Sequence, residues 1–186
     1  KYAEARAYLD KAVSIGLSSP GGDELELATT YISLGVVYNA EGNYDQSLSY
    51  HNKALAIRLR KLGENDAQVA TSYGNIGNVY RNKKDYDQSI AAHTKAMQIR
   101  ENVLEEKSAE ITESYVGLGN AYREKKAYST SLEYFEKALQ NKIIQKGEGH
   151  KDLSRFYKYI SDVYFLMGNK EQGDRYKMKS EAVLKN

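Results

Sequence analysis

The chain has 186 residues, of which 41% are hydrophobic and 28% are charged, a balance typical of a folded domain rather than of a disordered segment. It contains no cysteine, which excludes disulfides and cysteine-ligated metal sites. With a formal net charge of +2 and no apolar run near the ~20 residues that a membrane span needs, the sequence predicts neither nucleic-acid binding nor membrane insertion.

A period of 42 residues organises the rest of the chain. Gly35, Gly77 and Gly119 are each 42 residues apart, and Lys11 stands 42 residues before Lys53. The same step links two series of tyrosines, which are Tyr31, Tyr73, Tyr115 and Tyr157, and Tyr38, Tyr80, Tyr122 and Tyr164. Because a fixed period of this length is typical of repeat architectures, we predict an array of equivalent helical units.

The first predicted element is a lone helix over residues 2–16. Its Tyr2, Tyr8 and Ile15 match only the second half of each later repeat. Since one helix cannot cover its own apolar face, we predict a half repeat over residues 1–22 and a chain that is a fragment of a longer protein.

From residue 23 onwards each repeat predicts two antiparallel helices, here called A and B. In the first repeat Tyr31, Leu34, Gly35 and Tyr38 follow the i, i+3, i+4, i+7 spacing of one helical stripe, and a second stripe begins at Tyr44 after a short polar turn. The predicted repeats are 23–64, 65–106, 107–148 and 149–186. Together with the first helix they make about nine helices in a single domain over residues 1–186.

Small and aromatic residues recur at positions that predict close helix packing. Glycine in the middle of a helix costs ~1 kcal/mol against alanine, so the recurrent Gly35, Gly77 and Gly119 predict the close approach of a neighbouring helix. The tyrosine series is interpreted as core, with hydroxyls that reach the surface. His51 and His93 are also one repeat apart, and we interpret them as packing residues rather than as metal ligands.

The pattern Tyr-x-x-Leu-Gly-x-x-Tyr in helix A, followed by a small residue and an alanine in helix B, resembles the tetratricopeptide repeat. The positions that carry the resemblance are Tyr31, Leu34, Gly35, Tyr38, Ser47 and Ala54, with their equivalents in the later repeats. The 42-residue unit is similar to that of kinesin light chains and of nephrocystin-like relatives. The resemblance implies an all-α fold, a right-handed superhelical α-solenoid of antiparallel helix pairs whose A helices line a concave groove. Ser161 departs from the pattern by replacing the helix A glycine.

The A helices also predict a polar face that can hold a peptide. Opposite the buried stripe, at ~100° per residue, lie amide and basic side chains. The predicted groove residues are Asn39, Asn75, Asn78, Arg81, Asn82, Asn120, Arg123 and Lys158. Asparagine offers a hydrogen-bond donor and an acceptor to a peptide backbone, and arginine can donate two parallel hydrogen bonds to a carboxylate. The alternative is a merely solvated face. The fourth repeat is expected to expose three apolar side chains, those of Tyr159, Phe165 and Leu166. They would contact either an apolar group of the ligand or the next helix of a longer array.

These observations predict a non-enzymatic, cytoplasmic protein-interaction module that binds a protein or peptide partner, and that is monomeric as a fragment. No catalytic constellation, phosphate-binding loop or metal-binding motif is present in the sequence, so no cofactor is predicted. Two alternatives stay open at this point. One is a regulatory or sensor segment of a larger signalling protein that makes intramolecular contacts, and the other is a self-assembling architectural module.

Overall fold

The computed structural model describes residues 2–18, 23–105 and 108–185, and within these ranges the chain is all-α. The described helices are α1 (Tyr2–Ser18), α2 (Glu24–Ala40), α3 (Tyr44–Leu62), α4 (Ala67–Asn82), α5 (Tyr86–Val103), α6 (Ala109–Glu124), α7 (Tyr128–Lys146), α8 (Ser154–Leu166) and α9 (Lys170–Ala182), with a 3₁₀ turn (Lys151–Leu153) before α8. The predicted order of one lone helix followed by four A–B pairs is therefore confirmed for the described residues. The end of the predicted half repeat, residues 19–22, and residues 106–107 at a predicted repeat boundary lie outside them.

The chain forms two compact units, residues 1–103 and 104–186. In the first unit α2 pairs with α3 and α4 with α5, while α1 and α3 each pack against the A helix that follows them. In the second unit α6 pairs with α7 and α8 with α9, and α7 packs against α8. The B helices α3 and α7 thus each lie between their own A helix and the next one, as stacked helical repeats require.

The mid-helix glycines let an aromatic ring of helix B lie directly on the backbone of helix A. A Cβ atom at Gly35 would stand 2.6 Å from the His51 ring, and one at Gly119 would stand 2.6 Å from the Phe135 ring. Gly77 faces His93 in the same way, at 2.7 Å. These distances are too short for any real Cβ atom, so the predicted close approach at these three glycines is confirmed.

The fourth repeat achieves the same packing with the two helices exchanging roles. Its helix A carries Ser161, whose hydroxyl donates to the carbonyl of Gly173 on helix B at 2.8 Å. The Phe165 ring on helix A then lies on Gly173, 2.6 Å from where a Cβ atom would stand. Phe165 occupies a repeat position that holds a polar residue in the other three repeats, namely Asn39, Arg81 and Arg123.

The tyrosine series packs between the A and B helices, as predicted. Tyr31 is buried, and Tyr38 is stacked on Tyr50 with ring centroids 5.4 Å apart. Equivalent stacked pairs, at 5.6 Å each, are Tyr122 with Tyr134 and Tyr164 with Tyr176. The tyrosines of the lone helix α1 differ, because Tyr2 and Tyr8 are exposed.

The turns between helices A and B need a left-handed residue at one fixed repeat position. Gly42 and Gly168 supply it with φ of 80° and 76°, whereas Lys84 and Lys126 adopt it with φ of 66°. Such a backbone costs an L-residue about 1–2 kcal/mol, whereas glycine adopts it readily.

Replacing Lys84 with glycine is expected to raise the free energy of unfolding by about 0.5–1 kcal/mol, because relief of the left-handed strain exceeds the extra chain entropy of glycine. Urea denaturation followed by circular dichroism measures the change. Lys84→Ala is the matched control, since it removes the same side chain and keeps the strain. Equal stabilities for the glycine and alanine variants would contradict this explanation of the turn.

Candidate peptide-binding faces

In the first unit the predicted residues lie together on the helix A side, and we call them the first A face: Asn39, Asn75, Asn78, Arg81 and Asn82. The Asn82 Nδ2 atom donates to Asn39 Oδ1 at 3.1 Å, which joins α4 to α2. Asn78 is exposed and Asn75 is half-buried, one turn apart on α4. The structure therefore brings five predicted residues onto two neighbouring A helices.

Arg81 supplies the positive charge of the first A face. Its side chain is half-buried, and no carboxylate of the described residues lies within ion-pair distance of it. Its Nε atom is buried and has no hydrogen-bond partner among the described residues. A partly desolvated guanidinium without an acceptor can bind a carboxylate or a peptide carbonyl strongly.

In the second unit Arg123 and Lys158 flank an apolar centre, which we call the second A face. Arg123 lines a cavity of about 600 Å³ together with Asp162, Phe165 and Leu166. Lys158 lines a neighbouring cavity of about 380 Å³ that shares Asp162 and Phe165. Phe165 and Leu166 are 41% and 54% exposed, so an apolar group has a surface to bind beside Lys158. Arg123 is ion-paired with Glu124 at 3.3 Å, and Glu124 lines the same cavity.

Two predicted residues of the second unit need separate comment. Asn120 is half-buried on α6 and lines neither of these two cavities. The expected exposure of Tyr159 is wrong, because its ring is half-buried and stacked on Phe135 with centroids 5.0 Å apart. The reason is that the close contact of Phe135 with Gly119 leaves the other side of that ring for a residue of the next A helix.

The structure adds residues that the sequence did not single out. Asp162 lines both cavities, and Lys126 and Tyr128 at the A–B turn line the larger one. An ion pair of 2.6 Å between Arg155 and Glu113 joins α8 to α6, as the two asparagines join α4 to α2. Helical spacing places Asp162 on the same side of α8 as Leu166, although it is not one of the predicted groove residues, and the predicted exposure of Phe165 and Leu166 is confirmed.

The histidines of the first unit belong to the packing rather than to a site. Burial lowers the pKa of His51 to about 4, and burial together with the charges of Arg81 and Arg100 lowers that of His93 to about 4. Across the described residues no group of three or more histidine and acidic side chains could hold a metal ion. None of the described helices is both long and apolar enough to cross a membrane.

Comparison with known families decides the identity of the repeat. A sequence model of the tetratricopeptide repeat matches residues 1–60 and 68–144, which is more than half of the chain. The chain belongs to the tetratricopeptide repeat (TPR) family. The small residues that carry the TPR pattern in helix B, Ala54, Ala96 and Ala138, are fully buried. A search of curated protein sequences gave no match.

Solved structures with the TPR fold match nearly the whole chain. The crystal structure of BtubC (BKLC) from P. vanneervenii is 18% identical, covers 98% of this chain and 72% of that chain, and has a TM-score of 0.85. A putative kinesin light chain of Podospora anserina with nearly identical TPR-like repeats is 14% identical, covering 98% of this chain and 87% of that one, with a TM-score of 0.83. The Rap conjugation gene regulator of the plasmid pLS20, solved in complex with the Phr* peptide, is 19% identical and covers 96% of this chain and 47% of that one, with a TM-score of 0.75. At these identities the comparisons show the fold, which is the predicted TPR solenoid of helix pairs.

Proposed function

We propose that this TPR chain is a non-catalytic interaction scaffold that holds an extended peptide segment of a partner protein on its A faces. The proposal includes a monomeric state and a cytoplasmic location. The observation that carries it is the first A face, where amide groups and a guanidinium keep hydrogen-bonding capacity that the described part of the protein does not use. The Rap regulator, a protein of similar fold, was solved in complex with a peptide, which supports a peptide as the kind of ligand.

The spacing of the asparagines suits an extended backbone. Asn75, Asn78 and Asn82 span seven residues of α4, which corresponds to about 10 Å at 1.5 Å per residue. An extended peptide covers that length with about three residues at 3.3 Å each. Each amide offers both a donor and an acceptor, so the stripe can bind backbone groups without selecting particular side chains.

The second A face adds a way to select side chains. Phe165 and Leu166 offer apolar surface, and Lys158 offers positive charge beside it, while Arg123 is already paired with Glu124. A ligand with an apolar residue next to an acidic one could bind both the apolar surface and the positive charge. The second A face would by itself select ligand side chains, whereas the first A face would by itself bind peptide backbone generally.

Peptide selection with matched variants tests the proposal. Random linear peptides are displayed against the immobilised full chain, and the dissociation constants of the selected peptides are measured by fluorescence anisotropy. Asn75→Ala with Asn78→Ala is expected to weaken binding about tenfold, because two net hydrogen bonds of about 0.5–1.5 kcal/mol are lost. Within the described residues neither side chain makes a hydrogen bond, and alanine favours a helix more than asparagine does, so the melting temperature should not fall.

The control for that experiment is Asn52→Ala with Asn102→Ala. These asparagines are exposed on the B helices of the same unit, so the change has the same chemistry at a different place. The affinity of this control variant for the selected peptides is expected to stay within twofold of that of the unmodified chain. Equal effects of the two double variants, or a selection that yields no binding peptide, would refute the proposed face.

A further inference from the structure

A basic cavity lies where α7, the 3₁₀ turn and α8 meet. It encloses about 550 Å³. Its lining residues are Lys142, Lys151, Asp152, Ser154, Arg155 and Lys158. Four cationic side chains therefore face one carboxylate, and three of the four lie outside the proposed A faces: Lys142, Lys151 and Arg155.

Comparison of repeat positions explains why Lys142 is available to this cavity. Lys142 occupies the position of Arg58, which is buried and donates to the Gln68 carbonyl at 2.9 Å and to Ser72 Oγ at 3.1 Å. The position of Ser72 is taken by Phe156, which is fully buried and offers no acceptor. A cation that ties helix B to the next helix A in the first unit has thus lost its hydroxyl partner in the second.

The remaining polar contacts leave an excess of positive charge. Within the described part of the chain the Lys142 ammonium donates only to Gln145 Oε1, at 3.2 Å. Among the described residues no carboxylate lies within 4.0 Å of the Lys142, Lys151 or Lys158 ammonium groups. Arg155 is paired with Glu113, and the Asp152 carboxylate lies 3.7 Å from His150 Nδ1.

We propose that this cavity is an anion subsite that takes a phosphate or carboxylate group carried by a bound peptide. Three ammonium groups on flexible stems surround it and can converge on one group of oxygens, and each charge-assisted contact is short and strong. Lys158 also lines the second A face, so one peptide can reach both places. The subsite rests on the proposed function in taking the carrier of the anion to be a peptide.

The test titrates the isotope-labelled full chain with three pentapeptides that have blocked ends and differ only at the central residue. That residue is phosphoserine, glutamate or serine, and inorganic phosphate is a fourth probe. The two anionic peptides are expected to shift the backbone amide signals of Ser154 and Arg155 saturably, and the serine peptide is not. If the phosphoserine peptide binds more tightly than the glutamate peptide, the natural anion is a phosphate. If the two peptides bind equally tightly, a carboxylate is sufficient.

Two charge-matched variants decide whether the cavity itself is responsible. Lys142→Gln with Lys151→Gln is expected to weaken binding of the anionic peptides about tenfold, which is the loss of about one net charged hydrogen bond. Both lysines line this cavity and neither lines the second A face. Lys170→Gln with Lys185→Gln removes the same charge from two exposed positions, the first residue of α9 and a residue after its end, and should change affinity less than twofold. Equal losses in the two variants would overturn the subsite, and so would binding of inorganic phosphate without binding of either anionic peptide.

The outcome for the subsite is separable from that for the proposed function. If selected peptides depend on Asn75 and Asn78 while anionic peptides are indifferent to Lys142 and Lys151, the subsite alone is wrong. If the phosphoserine peptide binds at the cavity while no displayed peptide depends on the asparagines, the first A face alone is wrong.

Discussion

Replacing Gly77 with alanine is expected to lower the free energy of unfolding by about 1–2 kcal/mol, although alanine favours a helix by about 1 kcal/mol. The added methyl group would stand 2.7 Å from Cδ2 of the buried His93 ring. Overpacking of this kind costs about 1–3 kcal/mol, and the ring cannot move away because the surrounding core is closely packed. Urea denaturation followed by circular dichroism gives the difference.

Gly74→Ala, one turn earlier on α4, is the control with the opposite expected sign. A Cβ atom there meets nothing within 4 Å, so alanine should raise the free energy of unfolding by about 0.5–1 kcal/mol. Two identical chemical changes three residues apart thus separate helix propensity from packing. If both variants were more stable than the unmodified chain, the contact between Gly77 and His93 would not be as close as the structure places it.

Acid is expected to destabilise the first unit because its two buried histidines resist protonation. The pKa of His51 is lowered to about 4 by burial, and that of His93 to about 4 by burial and by Arg81 and Arg100. Between pH 6.5 and 4 the unfolded chain therefore binds protons that the folded chain does not, so stability falls as the pH falls through this window. At pH 5 each histidine should remove about 2 kcal/mol of the stability present at pH 7.

The second unit provides the control for this pH dependence. Phe135 occupies the equivalent position there and packs on Gly119 with the same short distance. His51→Phe with His93→Phe should therefore keep the packing and lose most of the difference between unfolding free energies measured at pH 7 and pH 5. His150 is present in both proteins and does not affect the comparison. An unchanged pH dependence in the double variant would show that other groups cause it.

The fold was predictable because the repeat puts the same physical demand on every unit. A glycine that recurs in the middle of a helix implies a close neighbour, and the structure places His51, His93 or Phe135 against it. The exchange in the fourth repeat was not predictable in the same way. Ser161 could only be described as a lost glycine, because the pattern of one helix does not show that Gly173 on its partner supplies the missing space.

The candidate sites were less predictable because they depend on which side chains have partners. The sequence placed Asn39 and Asn82 on one face, but their mutual hydrogen bond depends on the spacing of α2 and α4. Lys142 is one of many lysines in the sequence. Its availability follows only when Arg58 is seen bound to Ser72 and Phe156 is seen in place of that serine.

Mapping the contact surface of a selected peptide tests the central claim most directly, namely that the A helices hold the ligand. Amide signals of the isotope-labelled chain are followed as the peptide is added. The account predicts that the largest changes fall on α2 and α4, around Asn75, Asn78 and Arg81, with further changes around Phe165. Changes confined to the exposed sides of the B helices, around Asn52 and Asn102, would contradict it.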